Sequence, residues 1–125
     1  FRPSHHLSSP RGAIGVSVTV AETEEEARRI SASRNLWVLH LLQNRAGAFP
    51  SVEDALAYPY TEEEKVMLRA VERRGITGTP EQVRGRLLRM GEEYGVDDFV
   101  ILTITYDHKD RVRSYELLAE AFGLA

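Results

Sequence analysis

The sequence predicts an α/β fold in which parallel strands are joined by helical crossovers and helices cover the sheet. Three observations carry that prediction. Residues 13–20 alternate apolar and small or polar side chains, residues 98–106 form a second β-rich run, and the stretch between them holds several helical segments, each opened by a capping signal. Connections that contain helices join parallel strands, and a parallel sheet is buried on both faces.

The first strand puts Ile14, Val16, Val18 and Val20 on one face and Gly15, Ser17 and Thr19 on the other. Thr23-Glu24-Glu25-Glu26 then offers a hydroxyl and, three residues on, a glutamate, which satisfy amides that a helix start leaves without partners. A helix is expected from there to about Asn44. Ala27, Ile30, Arg34, Trp37 and Leu41 recur at three-to-four spacing, while Leu36, Val38, Leu39 and Leu42 widen the apolar surface, so its second half should be buried on more than one side. Gly47 and Pro50 end it, and Ser51 opens a short helical turn that Pro59 stops. Thr61 and Glu64 form a second capping box, opening a helix to about Arg74 with Gly75 as its stop. Thr79-Pro80-Glu81-Gln82 combines an N-cap, a proline at the first helical position and a capping-box partner, and the helix that follows runs to Gly95. After the second strand, Asp107 is the expected N-cap of a last helix carrying Val112, Tyr115, Leu118, Ala119 and Phe122. Two strands alone leave unpaired edges, so further strands are expected from other sequence or another chain.

Composition narrows the function classes. The 125 residues are 42% hydrophobic and 28% charged, the profile of one compact globular unit. A formal net charge of -3, with 16 basic residues interleaved among 19 acidic ones, gives no electrostatic footprint for nucleic acid. The absence of cysteine excludes disulfides, thiolate metal sites and a cysteine nucleophile, and makes the cytoplasm the default compartment. No apolar run approaches the roughly 20 residues that span a bilayer. The Pro, Ser, His and Arg residues of positions 1–12 are the composition of a connecting segment, and the chain is expected to be a fragment.

The run Gly78-Thr79-Pro80-Glu81-Gln82-Val83, then Arg86-Leu87, Glu93-Tyr94-Gly95-Val96-Asp97-Asp98-Phe99 and Thr103-Ile104-Thr105-Tyr106-Asp107-His108, resembles the end of the luciferase-like flavin-dependent monooxygenases. The segment from Arg111 to Phe122 resembles that family's closing helix, and the join from Val18 to Ala27 is similar to its penultimate repeat. The resemblance covers nearly the whole chain. It implies that residues 13–125 are the last two β/α repeats of a (β/α)8 TIM-type barrel, with parallel strands and outer helices. A whole barrel needs roughly 250 residues. It further implies an enzyme that uses reduced flavin, as FMN, and dioxygen on a small organic substrate, with a separate flavin reductase as a candidate partner and a homo-oligomeric assembly. The family's usual catalytic histidines lie in early repeats and its flavin-phosphate contacts after middle strands, so no catalytic residue carries over and the chain by itself is expected to be inactive. The alternative from a different class is a small α/β interaction or dimerisation module whose open sheet edges pair with a partner or a second copy.

On the barrel reading, the carboxyl ends of the strands line the mouth of the active site. Thr103 and Thr105 share one face of the second strand and are expected to point into the barrel, as are Ser17 and Thr19 on the first. Thr103, Thr105 and Asp107 are therefore the expected cofactor-binding residues, although Asp107 also suits a plain N-cap. Arg111 and Arg113 are weaker candidates for a phosphate, and His40 sits mid-helix with no visible partner. The adjacent His5 and His6 point opposite ways in an extended segment and make a poor metal pair. By resemblance, the segment 45–77 is a candidate cover over the flavin site, with an ordinary outer crossover as the plainer reading.

Overall fold

The structure, a computed structural model, describes residues 13–45, 47–96 and 98–124. The connecting segment expected at residues 1–12, with His5 and His6, lies outside the described residues. In chain order the elements are β1 (Ala13–Val20), α1 (Glu24–Leu42), α2 (Val52–Ala57), α3 (Glu62–Arg73), β2 (Gly75–Gly78), α4 (Pro80–Tyr94), β3 (Asp98–Leu102) and α5 (His108–Ala121). The three strands form one parallel sheet in the order β2-β1-β3. The α/β class and the parallel pairing of the two expected strands are as the sequence predicts. The third strand is a correction, because Gly75 starts β2 as well as ending α3.

Each side of β1 meets a different neighbour. Its second half pairs with β2, from Ser17 opposite Gly75 to Val20 opposite Gly78, and its first half pairs with β3, from Ala13 opposite Asp98 to Ser17 opposite Leu102. Val16, Val18 and Val20 join Ile76, Val83, Leu87, Leu117 and Leu118 in the main core, with Met90, Phe99 and Ile101 packed against it. One sheet face therefore lies against α4 and α5. Each Val or Leu fully buried there contributes about 1.5–3 kcal/mol.

The opposite face is divided. Over β2 it is covered by α1, whose Arg34 guanidinium lies so close to Gly75 that an added Cβ would sit 3.3 Å from Nη1. Over β3 it is open: Val100 is 61% and Leu102 50% exposed, and a Cβ on Gly15 would meet nothing within 4 Å.

The helices between β1 and β2 form a second layer on α1. Leu36 and Leu39 pack with Ala55, and Ala32, Tyr58, Tyr60 and Met67 close around them. That agrees with the breadth of apolar surface expected on the second half of α1, although Leu41 and Leu42 stay exposed. Glu64 ties the layer together. Its carboxylate, 6% exposed as a residue, accepts from Thr61 N–H (3.0 Å), Gln43 Nε2 (2.9 Å) and the Tyr58 hydroxyl (3.0 Å), with Arg45 Nη1 at 3.6 Å. These hydrogen bonds, the Thr61 backbone amide first, hold the Glu64 carboxyl down at about 2, against the opposing effect of burial.

Candidate functional site

The carboxyl ends of β1 and β3 converge beside the amino termini of α1 and α5. Strand alternation decides which side chains face which way there. Val16 pairs with Ile101 and both lie on the helix-covered face, so Thr103, two residues on, continues toward α5 and not toward the open face. Thr103 is 2% exposed, and its hydroxyl donates to Val18 O at 2.7 Å. The expectation that Thr103 points away from the outer helices is corrected by this register. The first strand does divide as expected, with Ser17 and Thr19 opposite the core-facing valines.

The second strand is also shorter than expected, ending at Leu102 instead of 106. The Tyr115 hydroxyl of α5 takes the next ladder position: it accepts from Thr103 N–H at 3.2 Å and donates to Ile101 O at 3.3 Å. On β1, Val20 N–H donates to Ser114 Oγ at 2.8 Å, also from α5. Thr105 thus lies past the strand, half-buried, its hydroxyl donating to Asp107 O at 2.6 Å. Asp107 occupies the N-cap position of α5, but its carboxylate makes no capping hydrogen bond and stays exposed. The expected cap is present in position and absent in chemistry.

A cleft of about 330 Å³ opens between the end of β1 and the starts of α1 and α5, lined by Val20, Ala21, Glu22, Glu26, Asp110 and Arg113 among others, and none of Thr103, Thr105 and Asp107 lines it. Arg113 Nη2 pairs with Glu22 at 3.0 Å and Nη1 approaches Glu116 at 3.6 Å. Burial and then the neighbouring Asp107 and Glu26 push the Asp110 carboxyl above its ordinary value, with Arg29 opposing. Sequence reasoning missed Glu22 and Asp110, because each reads as an acidic residue at a helix amino terminus and only the fold brings the two helix starts together.

The donor set decides what could sit here. Three carboxylates and a guanidinium already paired with one of them do not fit a phosphate, and Arg111 is engaged over the Tyr115 ring at 5.8 Å. The flavin phosphate implied by the resemblance therefore finds no partner among these residues. Asp107, an exposed acceptor free of any capping bond, lies outside the residues that line this cleft. No group of three or more His, Cys, Asp or Glu suited to a metal exists among the described residues, and no described helix is long and apolar enough to cross a membrane.

Three comparisons bear on what this arrangement belongs to. The chain is 34% identical over 122 residues to the uncharacterized protein YceB of Bacillus subtilis (strain 168), covering 98% of this chain and 37% of the relative. It is 32% identical over 108 residues to N-acetyl-S-alkylcysteine monooxygenase of the same organism, covering 86% of this chain and 32% of that protein. Among solved structures, apo-MsnO8 superimposes with a TM-score of 0.85 at 32% identity, over 100% of this chain and 38% of its own. The chain is thus homologous to a monooxygenase. It spans about a third of the length of the curated relatives it matches. No protein-family profile matches it.

Proposed function

We propose that this chain is the carboxy-terminal part of a luciferase-like, flavin-dependent monooxygenase of the (β/α)8-barrel class, acting with reduced FMN and dioxygen on a small organic substrate. The observation that carries the reading is the match to a monooxygenase and to MsnO8 along nearly the whole chain but only a third of theirs. The part of the sheet face left open at Gly15, Val100 and Leu102 supports it, as an apolar surface that further strands of a barrel would enclose.

On this reading residues 13–124 supply strands and outer helices that close the barrel, and preceding sequence supplies the phosphate site and the reacting groups. The flavin, when bound, carries the oxygen chemistry. Asp107 and Thr105 are assigned to the rim of its site, where the exposed Asp107 carboxylate would offer it an acceptor. Thr103 is assigned as a positioning residue that ties the end of β3 to β1. The α2–α3 layer is assigned to excluding water. The compartment is the cytoplasm, reduced flavin comes from a separate reductase, and the enzyme is a homo-oligomer.

The test is a titration of the complete gene product with FMN and with anaerobically reduced FMN, followed by fluorescence and absorbance. Saturable binding of the reduced form is expected, weakened by Asp107→Ala at unchanged far-ultraviolet circular dichroism. No binding in either redox state would overturn the flavin assignment and favour the interaction module.

A further inference from the structure

A second cleft, of about 390 Å³, lies away from the strand ends, between α1, the α2–α3 layer, β2 and α4. Its walls differ in kind. Leu56 and Leu68 give an apolar side, Asn35 and Thr77 give hydrogen-bonding groups, and Arg28 and Arg86 bring positive charge from two different helices. Arg28 is paired with Glu24, whereas Arg86 forms no salt bridge among the described residues.

Behind Asn35 and Gly75 lies a third cation. Arg34 is only 8% exposed, and no carboxylate lies within salt-bridge distance of it among the described residues. Its Nη1 donates to Asn35 Oδ1 at 3.0 Å and to Val71 O at 3.3 Å, while its buried Nε has no acceptor. A guanidinium stays charged at any ordinary pH, and burying one without an anion is costly. Burial and the nearby Arg74 both lower the Arg34 pKa, so the surroundings disfavour its charge. Glu72 is the one acidic residue on the cleft wall and makes no salt bridge with any of the three arginines.

We propose that this cleft binds a small organic carboxylate with an apolar tail, its anionic head held by Arg86 and Asn35 over the uncompensated charge of Arg34 and its tail against Leu56 and Leu68. Excess positive charge selects an anion, a guanidinium and an amide pair with a carboxylate through directed hydrogen bonds, and the leucine wall favours a hydrocarbon tail over a bare inorganic ion. The proposal does not depend on flavin binding, because none of these residues lies at the strand-end cleft.

The experiment is calorimetric titration of the complete gene product with hexanoate, with 1-hexanol as the uncharged counterpart and inorganic phosphate as the tail-free anion. Saturable hexanoate binding is expected, weakening as salt is raised, with hexanol and phosphate each binding more weakly by about tenfold or more. Arg86→Gln should raise the hexanoate Kd by about tenfold, and Arg34→Gln should raise it too. Arg86 is exposed, so its variant keeps the test decisive should Arg34→Gln fail to fold. Absence of saturable hexanoate binding overturns the proposal, as does a Kd unchanged in Arg86→Gln. Phosphate or hexanol binding as tightly as hexanoate overturns the assignment of a tailed carboxylate.

Discussion

Thr103 and Thr105 look alike in the sequence and do different work in the fold. Replacing Thr103 by Val keeps its shape but leaves Val18 O without its buried donor, so stability should fall by about 1–3 kcal/mol. Thr105→Val removes a hydrogen bond within a half-buried turn and should cost about 1 kcal/mol or less. Urea denaturation of the two variants separates them, and equal losses would contradict the register described for β3. The sequence did not disclose that register because Phe99, Val100, Ile101 and Leu102 are apolar on both faces, which removes the alternation that identifies an inside. Glu64 makes a prediction in pH. Its folded pKa of about 2 lies below the roughly 4.3 of an unfolded glutamate, so its contribution is fully present above the unfolded value and is lost as pH falls toward 2. Glu64→Gln should therefore flatten the acid limb of a stability profile between those values, and an unaltered limb would show that the Tyr58 and Gln43 contacts do not hold in solution.

Among the elements, helices were legible and short strands were not. Thr61 and Thr79 make reciprocal capping boxes where the sequence places them, and Gly95 closes α4 with φ 64° in the left-handed region. The strand β2 escaped because its four residues begin and end with glycine, leaving Ile76 and Thr77 too short a run to register as a strand. Both glycines are explained by what approaches them, Arg34 at Gly75 and Gln82 at Gly78. A Cβ on Gly78 would stand 2.6 Å from Gln82 Oε1, the atom that accepts from Thr79 N–H. Gly78→Ala should thus disrupt the capping box and cost about 1 kcal/mol. In a double-mutant cycle it should add little once Gln82→Ala has been made, and full additivity would assign its cost to the strand instead.

For the whole molecule, the exposed apolar residues offer a test of the barrel reading. Leu102 on the open sheet face and Val66 on α3 are 50% and 62% exposed. If strands from preceding sequence enclose the sheet face, Leu102→Lys in the complete gene product places an unpaired charge in an interior and should lower the thermal midpoint strongly, whereas Val66→Lys should change stability by about 0.5 kcal/mol or less. Similar, small effects of both would leave the sheet face facing water and remove the barrel. The parallel α/β class was visible from two strands and their spacing, while the acidic cleft was not, because Glu22 and Asp110 are brought together only by the packing of helix starts far apart in sequence. The hydroxyls of α5 have a further consequence, for the order of events during synthesis. Val20 N–H finds its acceptor on Ser114, 94 residues later, and the Ile101 carbonyl and Thr103 amide find theirs on Tyr115. A nascent chain that has already produced β1, β2 and β3 still lacks the side chains that finish the strand ends, and closing a loop of that length costs entropy before any contact repays it. The strand ends are therefore finished by α5, and until that helix leaves the ribosome they remain available to wrong partners.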